Sequence, residues 1–531
     1  MCPDQDCDCA SRARARARNR AQGRARGRSN RRVLALLPLL VAACGGGDTA
    51  ASGEEATPYQ GPPAELAITD VHVVDVVSGE VQPNRIVALR EGEIVWVGPS
   101  GAPHDASWEG PDTRVVNGEQ RYLIPGLWDM HIHLRGGAEL EAANRALLPL
   151  YVANGVTTVR DAGGDLFSSV LAWRDSTAAG TLLGPRIFSA GPKLEGPTGG
   201  WDGSIRLSRP EEVPTALDSL ERLGVDLVKV NDVSLPGDVY LAAVEEAARR
   251  GLLVTGHMPF TVRFREVVDA GISATSHLHY VFKGSAANEE AVTREFQARW
   301  GTDDPMGLWA ALGQMIPEYD PEVAQATFRH MAEKGTAAIP TLHIMEVLAE
   351  VERVDHSRDA GLQLIHPGIE ATYQGRLEGA RNSPLAQREE YRQLRDIFRR
   401  MIVPMHEAGV QLLAGSDAGP FNAFVYPGFG LHSELEALVG AGLSPADALR
   451  TATTNAAAFM KDPGSGQVAA GFRGDLVLLA GNPLEEIGNV RGVETVILRG
   501  RQVLDRGDLD ALLQEAAAYR QEALGTLGPG G

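Results

Sequence analysis

Cysteine is nearly absent from this chain of 531 residues: Cys2, Cys7, Cys9 and Cys44 are its only four. Nothing after Cys44 can form an internal disulfide or a cysteine metal site, so any metal must rest on His, Asp, Glu or Lys. Aromatic residues are sparse at 6%, but a hydrophobic content of 44% supports a sizeable core and excludes a globally disordered chain. An excess of positive charge is also missing, since the formal net charge is −19. Residues 1–43 carry ten arginines and three aspartates, a local +7 that leaves −26 on the remainder. Such an acidic body repels a polyanion and gains no counterion release, which excludes nucleic acid as a general partner. The apolar run Val33 to Ala43 is too short to span a bilayer.

That run follows a basic stretch, Arg12 to Arg32, and ends in Val41-Ala42-Ala43-Cys44. The order basic, apolar, small is that of a signal peptide over residues 1–43. Small residues before a cysteine resemble a bacterial lipobox, in which lipidated Cys44 becomes the mature N-terminus. Residues 44–64 then read as a flexible tether. The expectation is a bacterial envelope protein facing the periplasm or exterior, touching the membrane only through its lipid.

Beyond the tether, Leu66 to Val77 and Arg85 to Val97 alternate like strands, with Glu91-Gly92-Glu93 as a turn. Near the other end, Gly474 to Leu479 and Val493 to Arg501 read the same way. Strands at both termini predict a small β-sandwich module built from residues 65–125 and 465–510, with 511–531 as a C-terminal tail. The centre, residues 126–464, repeats strand then helix. Its candidate strands are Leu127–Leu134, Gly155–Gly163, Arg186–Gly191, Asp226–Val230, Leu252–His257, Ile272–His277, Ala337–His343 and Val410–Asp417. Eight such units fit a (β/α)8 TIM barrel better than a doubly wound sheet. The glycine-rich stretch Gly196 to Gly203 lacks the lysine–serine ending of a phosphate loop and reads as a mobile loop.

Chemistry-bearing residues gather at the strand ends. His131 and His133 lie on the first strand, Lys229 on the fourth, and His257 and His277 end the fifth and sixth. Asp417 ends the eighth in a glycine-flanked turn. In a barrel these ends share one mouth, so residues distant in sequence meet there. His131 and His133 are two apart and project to one face. Pro125-Gly126-Leu127-Trp128-Asp129-Met130 before them makes the signature specific. Lys229 sits in an apolar strand, where a buried ammonium must be paired, neutralised or modified. A carboxylate partner is one outcome; a neutral amine that takes up carbon dioxide as a carbamate is another. Singly, His257 and His277 read equally well as capped core histidines or ligands, and Asp417 as a turn aspartate or a metal ligand and proton acceptor.

Together these residues resemble the amidohydrolase superfamily, especially imidazolonepropionase-like and dipeptidase-like members of bacterial envelopes. The likeness runs from about Leu66 to Leu504 and includes His432-Ser433-Glu434-Leu435, Ala452-Thr453-Thr454-Asn455-Ala456-Ala457 and Gly474-Asp475-Leu476-Val477. It implies one or two divalent ions, zinc first. His131, His133 and Asp417 would hold one, His257 and His277 the other, and carboxylated Lys229 would bridge them. Asp417 would accept a proton from metal-bound hydroxide and pass it to the leaving group. Many relatives carry Glu-His on strand six where this chain has Ser276-His277, so support for that histidine must come from elsewhere.

Tyr280, His343 and His432 are candidate substrate readers, each equally suited to a structural role. The expected reaction is hydrolysis of a carbon–nitrogen bond in a small molecule, either a cyclic amide or a dipeptide-like amide. The same centre on the same barrel can cleave esters or phosphoesters. A binding lipoprotein without catalysis is the reading from another class. Oligomeric state is open.

Overall fold

The computed structural model describes residues 59–100 and 107–527. The signal segment, Cys44 and most of the tether lie outside the described residues. Among the described residues, no helix is long and apolar enough to cross a membrane.

Four strands open the described chain: β1 (Leu66–Asp75), β2 (Glu80–Arg90), β3 (Glu93–Pro99) and β4 (Arg114–Pro125). The barrel strands follow as β5 (Leu127–Ile132), β6 (Val156–Asp161) and β7 (Arg186–Ser189), then the short pair β8 (Leu194–Glu195) and β9 (Ile205–Arg206). Next come β10 (Val228–Val230), β11 (Val254–Gly256), β12 (Ala274–Ser276) and β13 (Ala337–Ile339). The chain returns through β14 (Leu476–Leu479), β15 (Val493–Leu498) and β16 (Gln502–Asp505).

Strands from both ends form one sheet in the order β16-β15-β14-β4-β1-β2-β3. The two chain ends meet where β4 pairs antiparallel with β14, Ile124 opposite Val477. Leu66, Ile68, Val87, Leu123, Leu476 and Ile497 pack on one face of it. The chain passes from this sheet into the barrel at Gly126, where an added Cβ would lie 2.0 Å from Thr157 Oγ1. No larger residue fits at that crossing.

The barrel strands are parallel, in the runs β5-β6-β7 and β10-β11-β12-β13. Single hydrogen bonds join the runs into a ring. Asp226 N donates to Ser189 O at 2.9 Å, linking β7 to the approach to β10. On the other side the segment 411–418 is the eighth stave. Leu413 N donates to Ala338 O at 2.9 Å, Met130 N to Ala414 O at 2.8 Å, and Asp417 N to His131 O at 2.7 Å. The fold is thus a (β/α)8 barrel, as the sequence pattern predicts, with one seven-stranded terminal β-sheet in place of the expected β-sandwich.

Two layers of apolar side chains hold the barrel. Trp128, Met130, Phe188, Ala274, Ala337, Ile339 and Leu413 come from staves all round the ring and form one cluster, which is possible only across the barrel axis. Val228, Val230 and Val254 face outward toward helix 237–249, whose Val239 and Ala243 belong to the same buried cluster. Helix Pro321–Lys334 shows how such elements are bounded. The Asp320 side chain accepts from the main-chain N–H groups of Glu322 and Val323, proline opens the helix, and Gly335 ends it at φ 72°.

Residues 281–336 are mainly helical, including 289–299, 308–315 and 321–334. One sequence reading is refined here. The tail after residue 510 continues helix Arg506–Leu527. That helix docks through Arg520, which donates to Ile365 O at 2.8 Å and pairs with Glu370 at 2.6 Å.

Candidate metal centre

Most barrel strands carry a polar residue at or just past their C-terminal end, on the same rim. Burial of the strands forces this pattern, because apolar side chains fill the staves and only the C-terminal tips face open space. His131 and His133 leave β5 at that rim, and both are buried. Asp417 arrives from the eighth stave in a left-handed turn, φ 63°. Gly419 follows it so closely against His133 that an added Cβ would lie 2.2 Å from the His133 carbonyl oxygen. His277, just past β12, is also held at positive φ, 68°. Non-glycine residues in this region carry backbone strain, which clusters at functional sites.

These side chains converge. The Asp417 Oδ1 atom lies 3.0 Å from His133 Nε2 and 3.4 Å from His131 Nε2. Ligand atoms of His131, His277 and Asp417 all fall within 4.8 Å of one another. His257 Nε2 and His277 Nε2 are 3.1 Å apart. Despite this crowding, His131 Nδ1 and Nε2, His133 Nδ1 and Asp417 Oδ1 are buried with no hydrogen-bond partner. Buried polar atoms are ordinarily satisfied, and of these His131 Nε2 and Asp417 Oδ1 face each other across one small volume, which fits a shared cation. Burial drives the pKa of all four histidines well below the usual imidazole range, the neutral form a metal requires. Burial raises the Asp417 carboxyl, while Arg376, Arg135 and Lys229 act to hold it down.

The outer ring nitrogens are fixed by residues the sequence reading did not name. His257 Nδ1 meets Asn231 Oδ1 at 2.8 Å, and Asn231 Nδ2 donates to Glu195 at 3.0 Å. His277 Nδ1 meets Thr341 Oγ1 at 2.7 Å. This is the support that Ser276 does not give, because Ser276 Oγ instead accepts from Lys229 Nζ at 3.3 Å. Lys229 is 1% exposed. Its pKa is lowered to about 7, first by burial and then by the Arg160 guanidinium. Asp129, inside the motif before the histidines, accepts from Ser416 N at 2.9 Å and Ser416 Oγ at 2.5 Å, which ties β5 to the turn that carries Asp417. The polar pair Asn231-Asp232, directly after an apolar strand, was the one sequence signal for this outer layer. Thr341 had none.

The three candidate substrate readers separate. Tyr280 lies at the centre: its ring is 5.8 Å from that of His257, and its hydroxyl donates to Asp232 Oδ2 at 3.2 Å. His343 does not end a strand. Thr341 turns the chain at φ 49° and helix Leu342–Glu350 begins at once, so the His343 main-chain N–H donates to Glu434 at 2.8 Å. His432 is buried in helix Phe429–Gly440, and its Nε2–H is taken by the Asn154 carbonyl at 2.8 Å. His279 packs edge-on against Trp309 and Phe398, both at 5.2 Å, outside the ligand cluster. The Gly196–Gly203 loop is pinned rather than loose: Arg206 bonds Glu195 at 2.5 Å and the Trp201 carbonyl at 2.7 Å.

Comparison with known proteins accords with this geometry. The chain resembles the adenine deaminase of Rubrobacter xylanophilus, at 29% identity over 332 residues, covering 56% of this chain and 52% of that protein. It thus spans about half the length of that relative. The ochratoxinase of Aspergillus niger is 23% identical over 486 residues, 80% of this chain and 83% of its own. Among solved structures, bottromycin amidohydrolase has the same fold, with a TM-score of 0.66 at 24% identity over 86% of this chain and 90% of that one. Residues 122–503, most of the described chain, match the model of the amidohydrolase family, and the chain belongs to that family.

Proposed function

We propose that the protein hydrolyses a carbon–nitrogen bond in a small cyclic or dipeptide-like amide, using divalent metal held at the barrel mouth. The observation that carries this reading is the convergence of unsatisfied His131 and Asp417 atoms with His133, His257 and His277 in one buried volume. Membership of the amidohydrolase family supports it.

His131, His133 and Asp417 would hold one ion and His257 with His277 a second, with Lys229, as a carbamate, shared between them. Neutral imidazoles and carboxylates suit zinc best. Metal bound there supplies Lewis acidity toward the amide oxygen and lowers the pKa of water toward neutrality. The chain's own groups do the rest. Asp417 takes the proton of the attacking water and returns it to the departing nitrogen, the acid–base role its buried, strained position prepares. Asn231 and Thr341 hold the His257 and His277 rings in place. Tyr280, tied to Asp232, borders the space a substrate must enter.

Protein purified without chelator should contain one to two transition-metal ions per chain and hydrolyse members of a dipeptide and lactam library. A folded protein that binds no metal, or a metal-loaded one inert to every amide tested, would overturn the reading. The basic and apolar opening with Cys44 supports a lipid-anchored envelope location for this activity.

A further inference from the structure

The short strands β8 and β9 pair in parallel with Glu195 opposite Arg206, and residues 196–204 between them form a strap beside the barrel mouth. Glu195 is fully buried. Its Oε2 accepts from Arg206 Nη1 at 2.5 Å and from the Trp201 main-chain N–H at 3.3 Å, while Arg206 Nη2 donates to the Trp201 carbonyl at 2.7 Å. The strap lies directly on this ion pair. At Gly199 an added Cβ would stand 2.0 Å from Arg206 Nη1 and 2.2 Å from Glu195 Cδ, so only glycine fits there.

The other carboxylate oxygen faces the metal centre. Glu195 Oε1 accepts from Asn231 Nδ2 at 3.0 Å, which turns Asn231 Oδ1 toward His257 Nδ1 at 2.8 Å. One carboxylate thus holds the strap with one oxygen and, through a single amide, a candidate ligand imidazole with the other. Charge-assisted hydrogen bonds are short and directional, so a turn of this carboxylate is felt at both ends. The strap also reaches the Asp417 flank. Its Trp201 ring lies 5.6 Å from that of Phe421, four residues after Asp417, and 4.2 Å from the guanidinium of Arg135, two residues after His133.

We infer that Glu195 is a positioning residue that couples the strap to metal binding at His257. An ion on His257 Nε2 fixes the ring, the ring fixes Asn231, and the carboxylate is left in the one orientation on which the strap closes. With the strap cut loose, the same run of bonds slackens and His257 becomes a poorer ligand. Such coupling is reciprocal: the strap favours metal by the factor by which metal favours the strap. The inference rests on the metal-centre reading and not on the reaction assigned to it.

Hydrogen–deuterium exchange on the full chain, stripped of metal and then loaded with zinc, tests the coupling. In the native chain zinc should slow exchange of the 196–206 amides by about tenfold. Arg206→Met and Glu195→Gln both cut the ion pair and leave an acceptor for Asn231. Each should abolish that protection and, in calorimetry, weaken zinc binding about tenfold, the low end of what outer partners of a metal site contribute. A role in folding alone would lower the melting temperatures of stripped and loaded protein alike and leave zinc affinity native; that result overturns the inference. Strap exchange that zinc does not change in the native chain overturns it too, and this arm needs no variant to fold. If the linkage and its loss in the variants are found but no amide is hydrolysed, the coupling stands and the hydrolase reading fails. If amides are hydrolysed but zinc leaves the strap unchanged, the coupling fails and the hydrolase reading stands.

Discussion

The Nε2 atoms of His257 and His277 face each other at 3.1 Å. Glu195 accepts from Asn231 Nδ2, which leaves the Asn231 oxygen to accept from His257 Nδ1–H. His257 Nε2 therefore carries a lone pair, aimed at a second imidazole nitrogen. A second imidazole nitrogen at this separation either donates its proton to that lone pair or shares a cation with it.

Removing the outer support should loosen that arrangement. Asn231→Ala and Thr341→Val each take away the partner of one outer ring nitrogen, and changes of this kind lower metal affinity about 10–100-fold. Metal titration of stripped protein measures it directly. Affinity equal to that of the native chain in both variants would show that the rings are held by packing alone.

Asp417→Asn keeps the shape and the main-chain contacts of the turn but removes the proton acceptor. General acid–base groups contribute roughly 10²–10⁴-fold to rate, so kcat should fall by that order while the melting temperature changes little. Retained kcat would assign the proton transfer to another residue.

Glu434 gives a pH dependence away from the metal ligands. It is fully buried, one oxygen accepts from His343 N at 2.8 Å, and the other has no partner. Burial raises its pKa from 4.5 to about 8, outweighing the main-chain hydrogen bonds that lower it. Between those values the folded chain holds a proton that the unfolded chain has lost, so stability falls as pH rises through the window and levels off above it. Glu434→Gln removes this slope. Melting temperatures of the two proteins should diverge from about pH 5 to about pH 8.5, with the variant increasingly the more stable. Parallel curves would show that Glu434 does not carry the effect.

The anchor is tested separately. A Cys44→Ser form of the full chain should leave the membrane fraction, and one that still fractionates with membranes would refute lipidation.

Much of this molecule was legible in its residues. Apolar runs spaced by helices gave the barrel, because a parallel stave is buried on both faces, as β5 and β6 are, and most staves are therefore rich in apolar residues. The same rule made His131, His133, Lys229, His257, His277 and Asp417 conspicuous, since a polar residue at the end of such a run needs a reason to be there. Strand ends were less legible. Thr341 halts β13 after three residues with a left-handed turn, a conformation its side chain does not advertise, and so His343 was misplaced onto the strand.

What only the tertiary structure decided is pairing. Ser276 looked like a gap in the support of His277, yet Thr341, 64 residues away, supplies the hydrogen bond, while Ser276 serves Lys229. The chemical capacity of a residue is written in its type and its run of neighbours. Which capacities meet depends on barrel closure, through single hydrogen bonds between staves hundreds of residues apart, such as Met130 to Ala414.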